Sequence, residues 1–85
     1  MNLNKQNLKN KIIYRASYRG SKEMDILMTG FVRSILDKLE INQLKVLNDF
    51  INMDDETLIS FKKEESLINF NDEIMLNIID KFQKF

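Results

Sequence analysis

Apolar side chains recur every three or four residues along most of this chain, and that helical spacing is the strongest restriction on its fold. The clearest stripe lies on one helical face and comprises Met24, Leu27, Met28, Phe31, Val32 and Ile35. No segment of useful length alternates between apolar and polar residues, and no proline interrupts a helix. The pattern predicts an all-α fold, a small compact bundle of about five short helices.

Polar breaks and one glycine separate the predicted helices. The first helix carries Leu8, Ile12, Ile13 and Ala16 on one face and Lys11, Arg15 and Tyr18 on another, and Gly20 marks its end or the start of the next helix. The second and third are expected over about 22–36 and 42–52, with Leu44, Leu47 and Ile51 inward and Val46 and Phe50 flanking them. Acidic caps at 54–56 and 71–73 begin the fourth and fifth helices. The fourth carries Leu58 and Phe61, and the apolar face of the fifth comprises Ile74, Met75, Ile78, Ile79 and Phe82. The segment 62–65 between them is expected to be solvated.

Composition restricts the function classes. The 85 residues fit a single domain over 1–85, and they include no cysteine and no histidine, which removes thiolate nucleophiles, imidazole acid–base groups and cysteine or histidine zinc sites. Two glycines are too few for a dinucleotide- or phosphate-binding loop, so no enzyme is expected. No apolar run approaches a membrane span and no signal peptide is visible, which predicts a cytoplasmic protein without membrane insertion. Isoleucine, lysine and asparagine, whose codons are rich in A and T, make up 31 of the 85 residues, which suggests a bacterial source.

Charge is distributed unevenly although the formal net charge is zero. Residues 1–36 include seven cations and two acids, which gives a net charge of +5. The remainder includes six cations and eleven acids, which gives a net charge of −5. The basic part could meet an acidic partner. Alternatively, the two parts pair with each other or solvate opposite faces.

One polar cluster sits at the predicted tip between the first two helices: Arg15, Arg19, Gly20, Glu23 and Asp25. Arg19 is expected to be exposed there and to make a bidentate contact with a carboxylate. Gly20 would let a partner backbone approach closely. Glu23, four residues after Arg19, could brace the guanidinium or face a partner. The alternative is an ordinary glycine turn with an acidic first helical turn and one internal ion pair.

The residues Tyr18-Arg19-Gly20-Ser21-Lys22-Glu23-Met24-Asp25, followed by Ile26-Leu27-Met28 and Phe31, resemble the RGxxE region of the SdhE family of flavin assembly factors. The resemblance covers roughly 8–63, and the last twenty residues match only in being helical. It implies a helical domain that binds the flavoprotein subunit of succinate dehydrogenase, or that of fumarate reductase. There it would help attach FAD covalently to a histidine. The FAD would belong to the client, and none would be bound by this chain itself.

The resemblance also assigns the site. Arg19, Gly20 and Glu23 would form the contact surface and Asp25 would support it, while Arg15 and Lys22 are added from their placement. The substitutions Arg19→Ala, Gly20→Arg and Glu23→Ala are each expected to leave the helical fold largely intact and to lower covalent flavin incorporation.

Three rival functions remain open from the residues alone. An antitoxin-like or nucleic-acid-binding regulatory module would use the basic first part, although no nucleic acid is expected as a partner. A small enzyme is disfavoured by the missing histidine and cysteine. The third rival is a structural subunit of a larger complex, which a pull-down would recover together with that whole complex. The chain is expected to be a monomer.

Overall fold

The computed structural model describes residues 3–63 and 72–85, which form five α-helices and one short 3-10 turn. They are α1 (Leu3–Ser17), α2 (Lys22–Ile35), the 3-10 turn (Leu36–Lys38), α3 (Ile41–Ile51), α4 (Asp55–Lys62) and α5 (Glu73–Lys84). No strand occurs within these ranges. The all-α prediction and the predicted number of helices are confirmed.

Short polar side chains set where three of the helices begin. The Ser21 hydroxyl accepts a hydrogen bond from the Met24 N–H at the start of α2, at 3.2 Å. The Asp54 carboxylate accepts one from the Thr57 N–H at the start of α4, at 2.9 Å. Asp72 does the same for α5. Each cap satisfies a backbone donor that has no partner inside its helix. The acidic caps are therefore confirmed at Asp54 and Asp72, whereas Asn71 lies outside the described residues.

Three phenylalanines from different helices meet in the centre of the core. Phe31 of α2, Phe50 of α3 and Phe82 of α5 lie with ring centroids 5.0 to 5.9 Å apart in edge-to-face arrangements. Phe61 of α4 stacks on Phe50 at 6.1 Å. The prediction that Phe50 only flanks the core is wrong, because its side chain is fully buried. Helix α3 packs against both α1 and α5, so its buried face is wider than one apolar stripe.

Charged side chains connect the basic and acidic parts of the chain. Lys5 and Lys9 of α1 pair with Glu40 and Asp37, at 3.9 and 3.2 Å, and Arg19 pairs with an acid of α4. All three pairs join a cation of the first part to an acid of the second. They support the interpretation that the two parts pair with each other.

Lys62 differs from the solvated segment that the sequence predicts over 62–65, whereas Lys63 is exposed as predicted. Lys62 is half-buried, and its ammonium group donates a hydrogen bond of 2.7 Å to the Phe82 carbonyl near the end of α5. The long apolar stem of lysine allows this packing. Glu64 and Glu65 lie outside the described residues. Within the part of the chain that is described, no helix is long and apolar enough to cross a membrane.

Candidate partner-binding site

The turn between α1 and α2 presents Gly20 at the protein surface. Helix α1 ends at Ser17, and Gly20 has a φ of +113°, which side chains with a Cβ rarely adopt. A Cβ atom built at Gly20 would meet nothing within 4 Å, so open space lies beside this residue. The predicted glycine turn is confirmed, and it leaves room for the backbone of another molecule.

Arg19 is folded inward, and the prediction of an exposed guanidinium is wrong. Its side chain is 8% exposed. The guanidinium donates to the carbonyl oxygens of Ile51 and Met53 and, through Nε and Nη2 at 3.2 and 2.9 Å, to the Asp55 carboxylate. Ile51 ends α3, where carbonyl groups lack helical partners and negative charge accumulates. Five N–H donors on one rigid plane suit such a set of acceptors.

Asp25 and Glu23 have different positions around this turn. The Asp25 carboxylate accepts a hydrogen bond from the backbone N–H of Arg19, which fixes the turn from the α2 side. Glu23 is exposed in the first turn of α2. The acid that pairs with Arg19 is Asp55, thirty-six residues away, and not Glu23. Of the two alternatives for Glu23, bracing the guanidinium is therefore wrong, and its carboxylate faces outward.

Arg19 links the α1–α2 turn to the α3–α4 loop, and a groove of about 390 Å³ runs between them. Arg15, Tyr18 and Arg19 line one side of this groove, and residues 52–55 line the other. The predicted site residues thus fall into two groups. Arg15, Gly20, Lys22 and Glu23 are exposed, whereas Arg19 and Asp25 are internal supports.

Asp54 places a negative charge at the edge of this groove. Hydrogen bonds from the Thr57 side chain and then its backbone lower the pKa of the Asp54 carboxyl, and the nearby Arg19 charge lowers it further. Desolvation opposes this shift without reversing it. The groove therefore has Arg15 of α1 and Arg19 of the following turn opposite a carboxylate that is ionised at neutral pH.

Sequence reasoning missed the acceptors of Arg19. The sequence predicts Asp55 to be part of an acidic capping cluster and does not relate it to Arg19, although Asp54 is the residue that caps α4. The second acid of that cluster was the one available signal, since a single cap needs a single carboxylate. The carbonyl acceptors of Ile51 and Met53 leave no trace in the sequence, because every residue has a carbonyl group.

The chemistry of these surface groups is suited to contact with another macromolecule. Among residues 3–63 and 72–85, no group of three or more acidic side chains lies close enough together to hold a metal ion. The exposed groups are a glycine, a carboxylate and cations, which can accept and donate hydrogen bonds across an interface.

A protein-family model described as flavinator of succinate dehydrogenase matches residues 10–83. The chain belongs to this flavinator family. The match confirms the resemblance found at the RGxxE region and extends it through α5, which the sequence had related to the family only as a helix. Searches of curated proteins and of solved structures found no match. The family is one of assembly factors for succinate dehydrogenase flavinylation.

Proposed function

We propose that this chain binds the flavoprotein subunit of succinate dehydrogenase and promotes the covalent attachment of FAD to a histidine of that subunit. Family membership supports a role in flavin attachment, and the exposed turn of Gly20 and Glu23 supports the choice of this turn as the surface that binds the client. The corresponding subunit of fumarate reductase is the second client to examine. The observation that carries the proposal is the open space beside a positive-φ glycine next to an outward-facing carboxylate.

The bond-forming chemistry belongs to the client and its flavin. An assembly factor that binds one conformation of its client shifts the client population toward that conformation by its differential affinity. If histidine and flavin lie close together in that conformation, holding them there lowers the activation free energy of bond formation by up to about 7–11 kcal/mol. This chain needs no nucleophile of its own in such a mechanism.

The buried part of the site prepares its exposed part. Arg19 and Asp25 hold the turn through hydrogen bonds to α3, α4 and the turn itself. A surface that is already ordered loses less conformational entropy when a partner binds. In this proposal Arg19 is a positioning residue, and the contacts with the client come from Gly20 and Glu23, with Arg15 and Lys22 beside them.

The decisive experiment compares two glutamates in equivalent positions. Glu23 and Glu56 are each the second residue of a helix, and both are exposed. We expect Glu23→Arg to lower covalent flavin incorporation about tenfold, as loss of a central interface contact does. Glu56→Arg should leave it unchanged. The measurement is in-gel flavin fluorescence of the client subunit in cells that lack the native factor.

Gly20→Arg provides a second variant at the same surface, because it fills the open space and also strains the backbone. Circular dichroism of each purified variant separates a lost surface from a lost fold. Normal flavin incorporation with a well-expressed Glu23→Arg and with Gly20→Arg would show that the client does not contact this turn.

Four further properties belong to the same proposal. The chain acts as one domain over residues 1–85, as a monomer, in the bacterial cytoplasm. It carries no FAD of its own, and FAD stays with the client. Light scattering of the purified chain tests the monomer, and an FAD titration followed by flavin fluorescence tests the absence of binding to the isolated chain.

A further inference from the structure

Two tyrosines and two cations form an exposed surface on α1 that the turn at Gly20 does not include. We call this surface the α1 outer face; it consists of Lys11, Tyr14, Arg15 and Tyr18. The tyrosines are 64% and 71% exposed, and their ring centroids lie 4.8 Å apart. Two aromatic rings that touch each other while remaining exposed present a broad apolar surface to the solvent.

The charges around this face are predominantly positive. Helix α1 carries four cations and no acid in its sequence. Its first two lysines are occupied by Glu40 and Asp37, whereas Lys11 and Arg15 take part in none of the ion pairs that the described residues form. Arg33 of α2 adds a third cation, because it lines a shallow groove together with Tyr14 and Tyr18.

We propose that the α1 outer face and its groove bind an acidic segment of a partner protein. Carboxylates of that segment would contact Lys11, Arg15 and Arg33, and an apolar side chain would pack on the tyrosine pair. Tyrosine and arginine are the residue types that contribute most to protein interfaces, and arginine matches carboxylate geometry. The inference rests on the proposed function, since Tyr18 lies two residues before Gly20 and the segment would belong to the same client subunit.

The surroundings of the face favour a protein segment over a nucleic acid. Arg15 and Tyr18 also border the groove that contains Asp54 and Asp55. A nucleic acid carries a phosphate at every nucleotide, and a strand that follows α1 past Tyr18 would meet these carboxylates. A protein segment with a few acids at one end avoids that repulsion. The mixed charge of the two grooves therefore matches a partner whose own charge changes along its length.

The experiment measures affinity for the purified client flavoprotein with two double variants. Lys11→Glu/Arg15→Glu reverses the charge of the face, and Tyr14→Ala/Tyr18→Ala removes its rings. The control is Lys38→Glu/Lys45→Glu, which reverses two exposed lysines of the 3-10 turn and α3. We expect each α1 variant to bind at least about tenfold more weakly and the control to change less than about twofold. Helical circular dichroism should stay unchanged, since these side chains are exposed.

Each outcome separates this inference from the proposed function. If Glu23→Arg loses binding while both α1 variants bind like the unmodified chain, the α1 outer face is not a docking surface. The proposed function then stands on Gly20 and Glu23, without a contribution from Arg15. If the unmodified chain does not bind the flavoprotein at all, the proposed function fails and the inference fails with it. A salt-sensitive affinity for duplex DNA or RNA that Lys11→Glu/Arg15→Glu abolishes would replace the protein segment by a nucleic acid.

Discussion

Arg19 shows why a single residue of a recognition motif can serve the fold. Its guanidinium satisfies two backbone carbonyls and one carboxylate that are otherwise left without these donors. A lysine at this position would offer one compact ammonium group instead of a planar fork, so it could not reach all three acceptors at once. Loss of function in an Arg19 variant would therefore report on the shape of the turn as well as on contact with a client.

We expect Arg19→Ala to lower the free energy of unfolding by about 2–3 kcal/mol, because it removes several hydrogen bonds to a charged donor. The cost stays moderate because the abandoned Asp55 side chain is 38% exposed and keeps some hydration. Urea denaturation measures this. Arg15→Ala is the matched control, an exposed arginine whose loss should cost less than about 0.5 kcal/mol. Equal stability of the two variants would contradict the internal role of Arg19.

At this scale the sequence predicts local geometry well and distant partners poorly. The positive φ of Gly20 follows from its position between two helices, and the turn was predicted correctly. The burial of Arg19 depends on groups 32 to 36 residues further along the chain. The separation of four residues between Arg19 and Glu23 suggests Glu23 instead, because only neighbours in sequence can be paired without a structure.

The helices themselves could be predicted because each has signals inside its own segment. Helix α2 has both an apolar stripe and a serine cap, and its start agrees with the prediction. Helix α3 was also expected, but the depth of Phe50 was not, since it depends on α5 packing on the second side. The half-burial of Lys62 has the same origin, because its acceptor is the Phe82 carbonyl of α5.

The stabilisation that Asp54 contributes as the N-cap of α4 should depend on pH. The lowered pKa of Asp54 means that folding favours its ionised form, through the hydrogen bonds with Thr57. This stabilisation is complete above the ordinary pKa of an aspartate, about 3.9, and is lost as the pH falls through the lower pKa of the folded state. We expect the stability advantage of the native chain over Asp54→Ala to be constant near neutral pH and to shrink below about pH 4.

Urea denaturation of both proteins across that pH range measures this difference. Asp54→Asn is the control, because an asparagine can cap the helix but does not titrate there. An advantage over Asp54→Ala that stays constant down to the lowest pH would show that the charge of Asp54 is not linked to folding.

The whole molecule depends on one aromatic centre. A domain of this size has a total stability of about 4–13 kcal/mol, and Phe50 contacts the rings of α2, α4 and α5 at once. We expect Phe50→Ala to cost about 3–5 kcal/mol and to lower the melting temperature strongly. Phe85→Ala removes a ring that is 53% exposed and should cost much less. Thermal unfolding followed by circular dichroism compares them, and similar melting temperatures would contradict a core centred on Phe50.

The contacts of Arg19 also affect when the α1–α2 turn can fully form during synthesis of the chain. Its acceptors come from the end of α3 and the start of α4, so the Arg19 side chain has none of these partners while only the first two helices exist, and Asp25 alone then holds the α1–α2 turn. During synthesis, the motif leaves the ribosome more than thirty residues before the groups that lock it. A client that recognises the α1–α2 turn with Arg19 in these contacts therefore distinguishes chains synthesised and folded at least through Asp55 from shorter nascent chains.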